Sequence, residues 1–359
     1  MMGIYRLTIH TSGQQIDANI LSKAIYYADT VVPKISTTLS LKRLPYLALP
    51  KLESSIDETI DNLKELERLC KGKVALVGIQ YDVSHKNTEV VEFLKTVIEE
   101  TQIIMLNICL KDHEFETVSS IVNLLKELEA SWIDYARIVI STNNILTANL
   151  PLSTTKRDSF TVSLNVLDYI KLVEDLRTEL KSKITKLYSD AVYECTKLSK
   201  EIKLNFTGVD TSLISGERLS LVQFIEMLKD LPFYSVGTIN ELLQLSNHLS
   251  SLKLKKGINL GKYILSYPND LTLNNYASME TLTLKDFAYL TISPIIGLDM
   301  LVIPSWISNE VLIHFFKEIN TLSQLIRKDV FVRIVLADAE PGERVSIGEY
   351  DVTVIEPLL

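Results

Sequence analysis

The sequence predicts an α/β fold in which helices connect strands that run largely parallel. Over the first 140 residues, short apolar runs alternate with segments whose apolar residues recur at helical spacing. Hydrophobic residues make up 47% and charged residues 23% of the 359, a balance typical of a globular protein with a large core. No Gly/Ser-rich or Pro-rich linker divides the chain. Since repeated βα units join parallel strands, we predict one α/β domain over residues 1–359, with two lobes, 1–165 and 166–359, as an alternative organisation.

The N-terminal half is predicted to consist of βα units. Residues 5–10 alternate in polarity like a strand, and 17–32 have helical spacing. A second strand is predicted at 38–44, broken by Pro45. A capping box at 55–58 begins the next helix, which Gly72 ends. The remaining units are strands at 73–80, 101–110 and 136–142, with helices at 88–100 and 113–129.

The C-terminal half begins with the longest predicted helix, 166–203. Its apolar residues recur every three or four positions, and at 1.5 Å per residue it would be on the order of 55 Å long. Such a helix could pair with a second copy, so the sequence leaves a homodimer through it open. The predicted elements that follow are strand 203–209, helices 217–230 and 238–250, a loop-rich region 253–280, helix 283–293, strand 300–304, helix 308–326, and strands 330–337 and 350–356.

Composition and charge exclude several classes of protein. The net charge of -8 argues against a protein that coats nucleic-acid phosphates. No apolar run approaches the ~18 residues of a transmembrane helix, and the N-terminus does not read as a signal peptide. The three cysteines are far apart and odd in number, which suits a reducing compartment. We therefore predict a cytoplasmic protein with no nucleic-acid and no membrane partner, whose ligand would be a small molecule.

Four sequence blocks occur in a particular order, after a looser fifth one. They are FTGVDTSLIS (206–215), YSVGTINELLQLSNHL (234–249), PIIGLDMLVIPSWIS (294–308) and DVFVRIVLADAEPGERVSIG (329–348), preceded by LTANLPLSTTKRDSFTVSL (146–164). In this order they resemble the family called domain of unknown function 711, or uncharacterised protein family 0210. Its members carry G-I-D-x-S-L, then F-G-S-x-G-T, then G-L-D with P-G-D, then V-R-L-I-P-V-P-G-K-K-A-G-D. The likeness covers roughly residues 135–359.

This resemblance implies a fold and no established reaction. Members of the family look like the ten-stranded α/β barrel of pyruvate formate-lyase-type glycyl radical enzymes, in which two parallel five-stranded halves lie together. The chain departs from the family in three segments. The family's P-G-D is replaced by Pro-Ser-Trp at 304–306, and its C-G-T by Pro-Ile-Ile at 294–296. The basic G-K-K-A-G-D is replaced by Glu-Pro-Gly-Glu-Arg at 340–344. If those segments line an active site, the changes imply a divergent substrate or lost activity.

The stretch GERVSIGEYDV (342–352) resembles a glycyl-radical signature, in which Arg, a small apolar residue, Ser or Cys, Gly and Tyr follow one another directly. Here Ile347 intrudes before Gly348, and Glu349 separates that glycine from the tyrosine. A radical site also needs a cysteine beside the glycine, whereas the three cysteines occupy positions typical of inert core residues. We interpret the stretch as a turn at 341–343 followed by short strands, and we predict no glycyl radical.

Two aspartates and an arginine are the candidate catalytic residues. Asp210 and Asp299 stand at strand-to-loop transitions, where carboxylates often face the ligand crevice of α/β folds. With Arg333, on a following strand, they could hold a divalent ion or a cationic or phosphorylated substrate. The alternatives are that the aspartates cap helices and turns, and that Arg333 forms a structural ion pair with Asp299.

Four further residues match family blocks and are candidates for ligand binding: Ser212, Ser235, Gly237 and Thr238. The segment YSVGT enters a predicted helix, whose backbone N–H groups could bind an anion. The preferred alternative is a helix N-cap at Thr238, reinforced by Glu241 in a capping box.

The five histidines are scattered without metal-ligand spacing, so we predict no metal site, and no cofactor can be named. His10 ends the first strand, where we expect a surface or capping histidine, with a position at the barrel mouth as the alternative. Two functions remain open. One is an enzyme whose polar pocket contains Asp210, Asp299 and Arg333. The other is a non-catalytic binding or scaffold protein with a filled barrel.

Overall fold

The computed structural model describes residues 4–14, 16–41, 43–51, 56–82, 88–110, 115–128 and 131–357. The strands are β1 (Ile4–His10), β2 (Tyr46–Lys51), β3 (Leu76–Asp82), β4 (Ile104–Cys109), β5 (Ile138–Ser141), β6 (Ser159–Leu164), β7 (Asn205–Asp210), β8 (Leu213–Ile214), β9 (Gly257–Ile258), β10 (Tyr263–Ser266), β11 (Ile295–Pro304), β12 (Phe331–Ala337), β13 (Arg344–Ile347) and β14 (Tyr350–Thr353). The helices are α1 (Ala18–Tyr26), α2 (Val32–Leu39), α3 (Ile56–Cys70), α4 (Thr88–Glu100), α5 (Phe115–Glu127), α6 (Trp132–Tyr135), α7 (Leu176–Ile202), α8 (Leu221–Lys229), α9 (Thr238–Ser250), α10 (Leu271–Ser278), α11 (Leu284–Leu290) and α12 (Asn309–Ile326).

Among the described residues, twelve strands form one sheet in the order β8-β10-β11-β12-β5-β4-β3-β2-β1-β6-β7-β9. Strands β1 to β5 are parallel neighbours, as are β6, β7 and β9 at one edge and β8, β10, β11 and β12 at the other. The antiparallel pairs are β1 with β6 and β5 with β12. The sheet is therefore mostly parallel, which confirms the predicted α/β class.

The two faces of the sheet differ in chemistry. One face packs against the helices through alternating apolar residues such as Leu7 and Ile9 on β1. The opposite face, named the inner face below, carries the intervening residues, among them Thr8 and His10, and a small apolar cluster that includes Phe331. Because side chains alternate along a strand, one sequence pattern supplies both surfaces.

A buried segment without regular secondary structure, residues 145–153, lies against the inner face and is named the inner strap below. A buried loop must find partners for its backbone groups, and here side chains of the strands provide them. Thr8 donates to the Ala148 carbonyl at 3.2 Å, and Asn107 donates to the Leu152 carbonyl at 2.7 Å. Gly78 leaves the room for this approach, since a Cβ there would lie 1.9 Å from the Pro151 carbonyl oxygen.

The second strand was predicted in the wrong place. Residues 38–39 belong to α2, whose buried residues Ile35 and Leu39 continue the apolar stripe, and the strand is Tyr46–Lys51. The β-branched run before Ser40 favours a strand locally, but burial of the helical stripe outweighs that preference. Pro45 precedes the strand instead of breaking it.

The longest helix is shorter than predicted and begins at Leu176, because the Asp175 side chain accepts the Thr178 N–H and caps the helix there. Its apolar stripe is buried against β6, β7, α2 and α9 of the same chain. On the outer face Tyr193 is 70% exposed. Self-association through this helix stays a prediction, and it would have to use a mainly polar surface.

Two further regions hold more regular structure than predicted. The supposedly loop-rich region 253–280 contains β9, β10 and α10, and β6 lies within the block 146–164. The strand predicted at 300–304 begins earlier, at Ile295. The capping box at 55–58 lies outside the residues whose side chains are described. None of the described helices combines the length and the apolar character needed to cross a membrane.

Candidate functional site

A cavity of about 450 Å³, named the inner cavity below, lies at the inner face beside the N-terminal ends of β1 and β2 and the C-terminal end of β10. Its walls contain three arginines, Arg6, Arg43 and Arg333, and two carboxylates, Asp299 and Glu349. In α/β sheets, ligands commonly bind beyond the carboxyl ends of strands, and the β10 side of this cavity fits that rule.

Asp299 and Arg333 form a buried ion pair in the wall of the inner cavity. Arg333 Nε donates to Asp299 Oδ1 at 2.5 Å, and Arg333 Nη1 donates to the Ala136 carbonyl at 2.7 Å. Burial alone would lower the pKa of Arg333, but the adjacent Asp299 carboxylate outweighs it and the pKa lies above its ordinary value. The predicted structural pair is therefore present, at a place that a ligand can reach.

A β-bulge positions Asp299. The pairing register of β11 with β12 shifts between Leu298 and Leu301, and Met300 has a φ of 58°, in the left-handed region. A non-glycine residue in this conformation costs on the order of 1 kcal/mol, and bulges often redirect side chains next to functional sites. Met300 itself lines the inner cavity.

Arg6 and Arg43 contribute cations that form no ion pair within the described part of the chain. The Arg6 guanidinium lies 5.4 Å from the ring centroid of Tyr5 and 4.9 Å from that of Tyr46. The Arg43 guanidinium lies 4.9 Å from the Tyr5 centroid. Aromatic rings hold a guanidinium in place without neutralising it. Both charges therefore remain available to an anion in the cavity.

The stretch that resembles a glycyl-radical signature forms part of the cavity wall. It folds as the β13–β14 hairpin, with Gly348 and Glu349 as a two-residue turn that faces the inner cavity. Gly348 has a φ of 63° at the first turn position, which glycine favours in a type II′ turn. The predicted turn at 341–343 is also present, since the Glu343 N–H donates to the Glu340 carbonyl at 3.1 Å, and the predicted short strands follow it.

Asp210 lies outside the inner cavity and anchors the inner strap. It is fully buried and accepts hydrogen bonds from the Thr147 hydroxyl at 2.5 Å and from the backbone N–H groups of Ala148 and Ser212 at 3.0 Å. Asn259 Nδ2 donates to the same carboxylate at 3.3 Å. These donors use the carboxylate fully, so the structure does not bring Asp210 together with Asp299 and Arg333.

Ser212 connects this network to the inner cavity through Asn149. The Ser212 hydroxyl accepts a hydrogen bond from Asn149 Nδ2 at 3.1 Å. Asn149 lines the cavity and is 7% exposed, and its Oδ1 has no partner among the described residues. A buried amide oxygen without a donor costs about 1–3 kcal/mol, which a ligand donor or water could recover.

The other three predicted ligand-binding residues, Ser235, Gly237 and Thr238, lie around a separate cavity of about 330 Å³. The predicted capping box is wrong. Gly237, with a φ of 93°, is the N-cap of α9, and Thr238 is its first helical residue. The Thr238 hydroxyl instead accepts from Lys229 Nζ at 2.6 Å, and Glu241 pairs with Arg177.

His10 is fully buried on the inner face, so the expected surface or capping position is wrong. Its Nδ1 donates to the Ser153 carbonyl at 2.8 Å, which leaves Nε2 to accept from the Thr161 hydroxyl at 2.9 Å. Burial lowers the pKa of His10 to about 4. His10 therefore holds the end of the inner strap as a neutral imidazole.

This burial predicts a pH dependence of folding stability. Between pH ~6.5 and pH ~4 the unfolded chain binds a proton at His10 that the folded chain excludes, so stability falls as the pH falls through this window. We expect a loss of about 3 kcal/mol, measured as the free energy of unfolding in urea. In a His10→Asn variant, whose amide can still donate to Ser153, this part of the slope should disappear. The exposed His314→Asn variant is the matched control, and a slope that survives in His10→Asn would contradict the assignment.

Other chemistry is sparse around the inner cavity. Cys70, Cys109 and Cys195 are buried free thiols, and none of them lines the cavity. Burial raises the pKa of Cys70 to about 11 and that of Cys195 to about 12. Within the described ranges, no three His, Cys, Asp or Glu side chains are arranged to hold a metal ion.

Sequence reasoning missed Arg6, Arg43 and Tyr46 as site residues. A signal for Arg6 existed, because it shares strand parity with Thr8 and His10 and so belongs to the inner face. No local pattern could have indicated Arg43, which reaches the cavity from the loop before β2.

Comparison with known proteins gives a family and no reaction. The model of a family described as "Uncharacterised ACR (DUF711)" matches residues 11–348. No curated protein matches the chain.

Proposed function

Because this chain belongs to the DUF711 family, whose description names no activity, we propose its function from the inner cavity. The protein binds a small organic anion there and acts on it as an enzyme that uses no glycyl radical. A cytoplasmic location is part of this proposal, and the three free cysteines support it.

The surplus of positive charge in the inner cavity carries this proposal. The protein as a whole has a net charge of -8, yet three arginines and only two carboxylates line this cavity. One arginine is paired with Asp299, whereas Arg6 and Arg43 contact aromatic rings. Guanidinium groups bind carboxylate and phosphate through directed N–H donors, so the arrangement favours an anionic ligand.

The three segments that depart from the family pattern lie away from the inner cavity, and this position supports the proposal that the cavity has kept its function. None of the residues 294–296, 304–306 or 340–344 lines the inner cavity. The predicted loss of a polar site through these changes therefore finds no support at this cavity. The Met300 conformation and the unpartnered Asn149 oxygen are further features that cavities with a ligand often carry.

The proposed activity involves no glycyl radical because no thiol lies beside Gly348. Gly348 lines the inner cavity, but the side chains beside it there are those of Trp132, Glu349 and Tyr350. Hydrogen transfer to a glycine would need a thiol in contact with it, and no cysteine reaches this wall.

We also propose that the sheet closes into the ten-stranded barrel implied by the family resemblance. Strands β7 and β8 are separated only by Thr211 and Ser212, yet β7 pairs with β6 at one edge and β8 with β10 at the other. Residues 205–214 would then act as one interrupted strand that joins both edges. Five parallel strands, β1 to β5, would face a second five built from β6, β7–β8, β10, β11 and β12.

A second candidate function is a non-catalytic binding or scaffold protein. The observation that favours it is the inner strap, which together with the apolar cluster around Phe331 occupies much of the inner face. The inner cavity nevertheless remains open beside the strap, with a size suited to a small metabolite.

The test measures binding of acetate and inorganic phosphate, with neutral acetamide as the isosteric control. We expect both anions, and not acetamide, to raise the melting temperature saturably. Arg6→Gln should weaken anion binding at least about tenfold, because a charge-assisted hydrogen bond contributes about 1.5–3 kcal/mol. Arg68→Gln is the matched control, since Arg68 is an exposed partner of Glu65 on α3. Equal anion affinity in the two variants would overturn the proposal.

A further inference from the structure

A second cavity of about 420 Å³ adjoins the inner cavity and differs from it in chemistry. Its charged residues balance, with Arg43 and Arg218 against Glu217 and Glu349. The rest of the wall is dominated by uncharged hydrogen-bonding side chains, namely Asn165, Ser215, Ser220, Gln223, Asn269 and Thr272. Such a lining favours a neutral, polar group over an anion.

The two cavities share a wall. Tyr5, Arg43, Asn269, Glu349 and Tyr350 line both of them. The Arg43 guanidinium, 4.9 Å from the Tyr5 ring centroid, therefore stands between the two spaces. One ligand that contacts Arg43 could extend into both.

The floor of the second cavity is held rigidly by Asp270. This fully buried carboxylate accepts from the Ser215 hydroxyl at 2.6 Å, from the Val222 N–H on α8 at 3.1 Å, and from the Leu273 N–H on α10 at 3.1 Å. It thereby ties the first turns of two helices together. The polar side chains above it are preorganised, which lowers the entropic cost of binding.

Asn165 gives an independent sign of a missing donor. It is 5% exposed, its Nδ2 donates to Asp168 Oδ2 at 2.6 Å, and its Oδ1 has no partner in the described chain. A Cβ at Gly216, another residue of this wall, would lie 3.2 Å from that oxygen. The Asn165 amide oxygen is thus a buried acceptor without a donor, beside a glycine. A hydroxyl group can donate a hydrogen bond to it, whereas an anion cannot.

We propose that the second cavity is a subsite for the hydroxylated part of the same ligand whose acid group occupies the inner cavity. This inference rests on the proposed function and narrows it. The substrate class becomes an organic acid whose carbon chain carries several hydroxyls, as in a sugar acid or a sugar phosphate.

The experiment compares gluconate with hexanoate, two six-carbon carboxylates of which only gluconate carries hydroxyls on its chain. By ligand-observed NMR titration of the full chain, gluconate is expected to bind at least about tenfold more tightly, because an analogue without hydroxyls leaves buried polar groups unpaired. The double variant Gln223→Leu/Thr272→Val keeps the wall's volume and removes two of its six uncharged hydrogen-bonding side chains. It should weaken gluconate about tenfold and leave hexanoate within about twofold of wild type.

The variant Gln244→Leu/Thr185→Val makes the same chemical changes on exposed positions of α9 and α7 and should behave as wild type. If wild type binds both acids equally, or if the wall variant binds gluconate as tightly as wild type, the second subsite is overturned while the inner cavity stands. If neither acid binds, the proposed function fails as well. The same comparison with sorbitol 6-phosphate and hexyl phosphate identifies which acid group the inner cavity prefers.

Discussion

Replacing Asp299 with alanine is expected to lower the free energy of unfolding by about 3–5 kcal/mol, measured by urea denaturation at pH 7. The change leaves the Arg333 guanidinium buried without its carboxylate, and an uncompensated buried charge costs this much. The Ala136 carbonyl, which accepts from Nη1, cannot replace an anion. We therefore expect a larger effect than for any single exposed ion pair of this protein.

The same variant also tests the character of the inner cavity. Acetate at millimolar concentration should restore part of the lost stability in Asp299→Ala, because it can occupy the vacated position beside Arg333, and acetamide should not. The double variant Asp299→Ala/Arg333→Leu removes the buried charge and should be more stable than Asp299→Ala alone. A double variant as unstable as the single one, with no acetate effect, would show that the ion pair is not the source of the loss.

Replacing Asp210 with alanine is expected to cost about 3–5 kcal/mol for a different reason. The variant leaves the N–H groups of Ala148 and Ser212 and the Thr147 hydroxyl without an acceptor in a fully buried place, at about 1–3 kcal/mol each. Hydrogen exchange should show the amides of the inner strap exchanging faster than those of the surrounding strands. The folded fraction of the Asp210→Ala variant should still bind anions in the inner cavity.

Two comparisons separate this role from a catalytic one. Asp190→Ala, an exposed position on α7, should stay within about 0.5 kcal/mol of wild type. Asp210→Asn retains acceptor capacity and should be less destabilised than Asp210→Ala. If Asp210→Ala folds as stably as wild type but loses anion binding, Asp210 belongs to the ligand site after all.

The fold class could be predicted because its signals are local. Strands in which polarity alternates, and helices in which apolar residues recur every three or four positions, give the βα order of the N-terminal half. Helices α4 and α9 end at the residues that the sequence indicated. The second strand was misplaced because Thr37 and Thr38 favour a strand locally, while Ile35 and Leu39 complete a buried helical stripe. Only packing decides between two such locally acceptable structures.

The candidate site could be predicted only in part. Arg333 was recognisable as a charged residue within an apolar strand, which needs a partner. Asp299 was expected at a strand-to-loop transition, but it lies within β11, which begins at Ile295. Arg6 and Arg43, which come from the N-terminal part of the chain, join them only through the fold of the sheet. The inner strap was equally hidden, since its partners Thr8, Asn107 and Asp210 come from three separate strands.

The sequence by itself determined the α/β class, the family and the charged residues on which a site could be built. Each of these depends on residue identity and on spacing within one segment. The tertiary structure alone decided that Asp210 holds the inner strap, that His10 is buried, and that three distant arginines share one cavity. Those outcomes depend on which strands become neighbours and on which side chains find partners away from water, and neither is encoded in any short stretch.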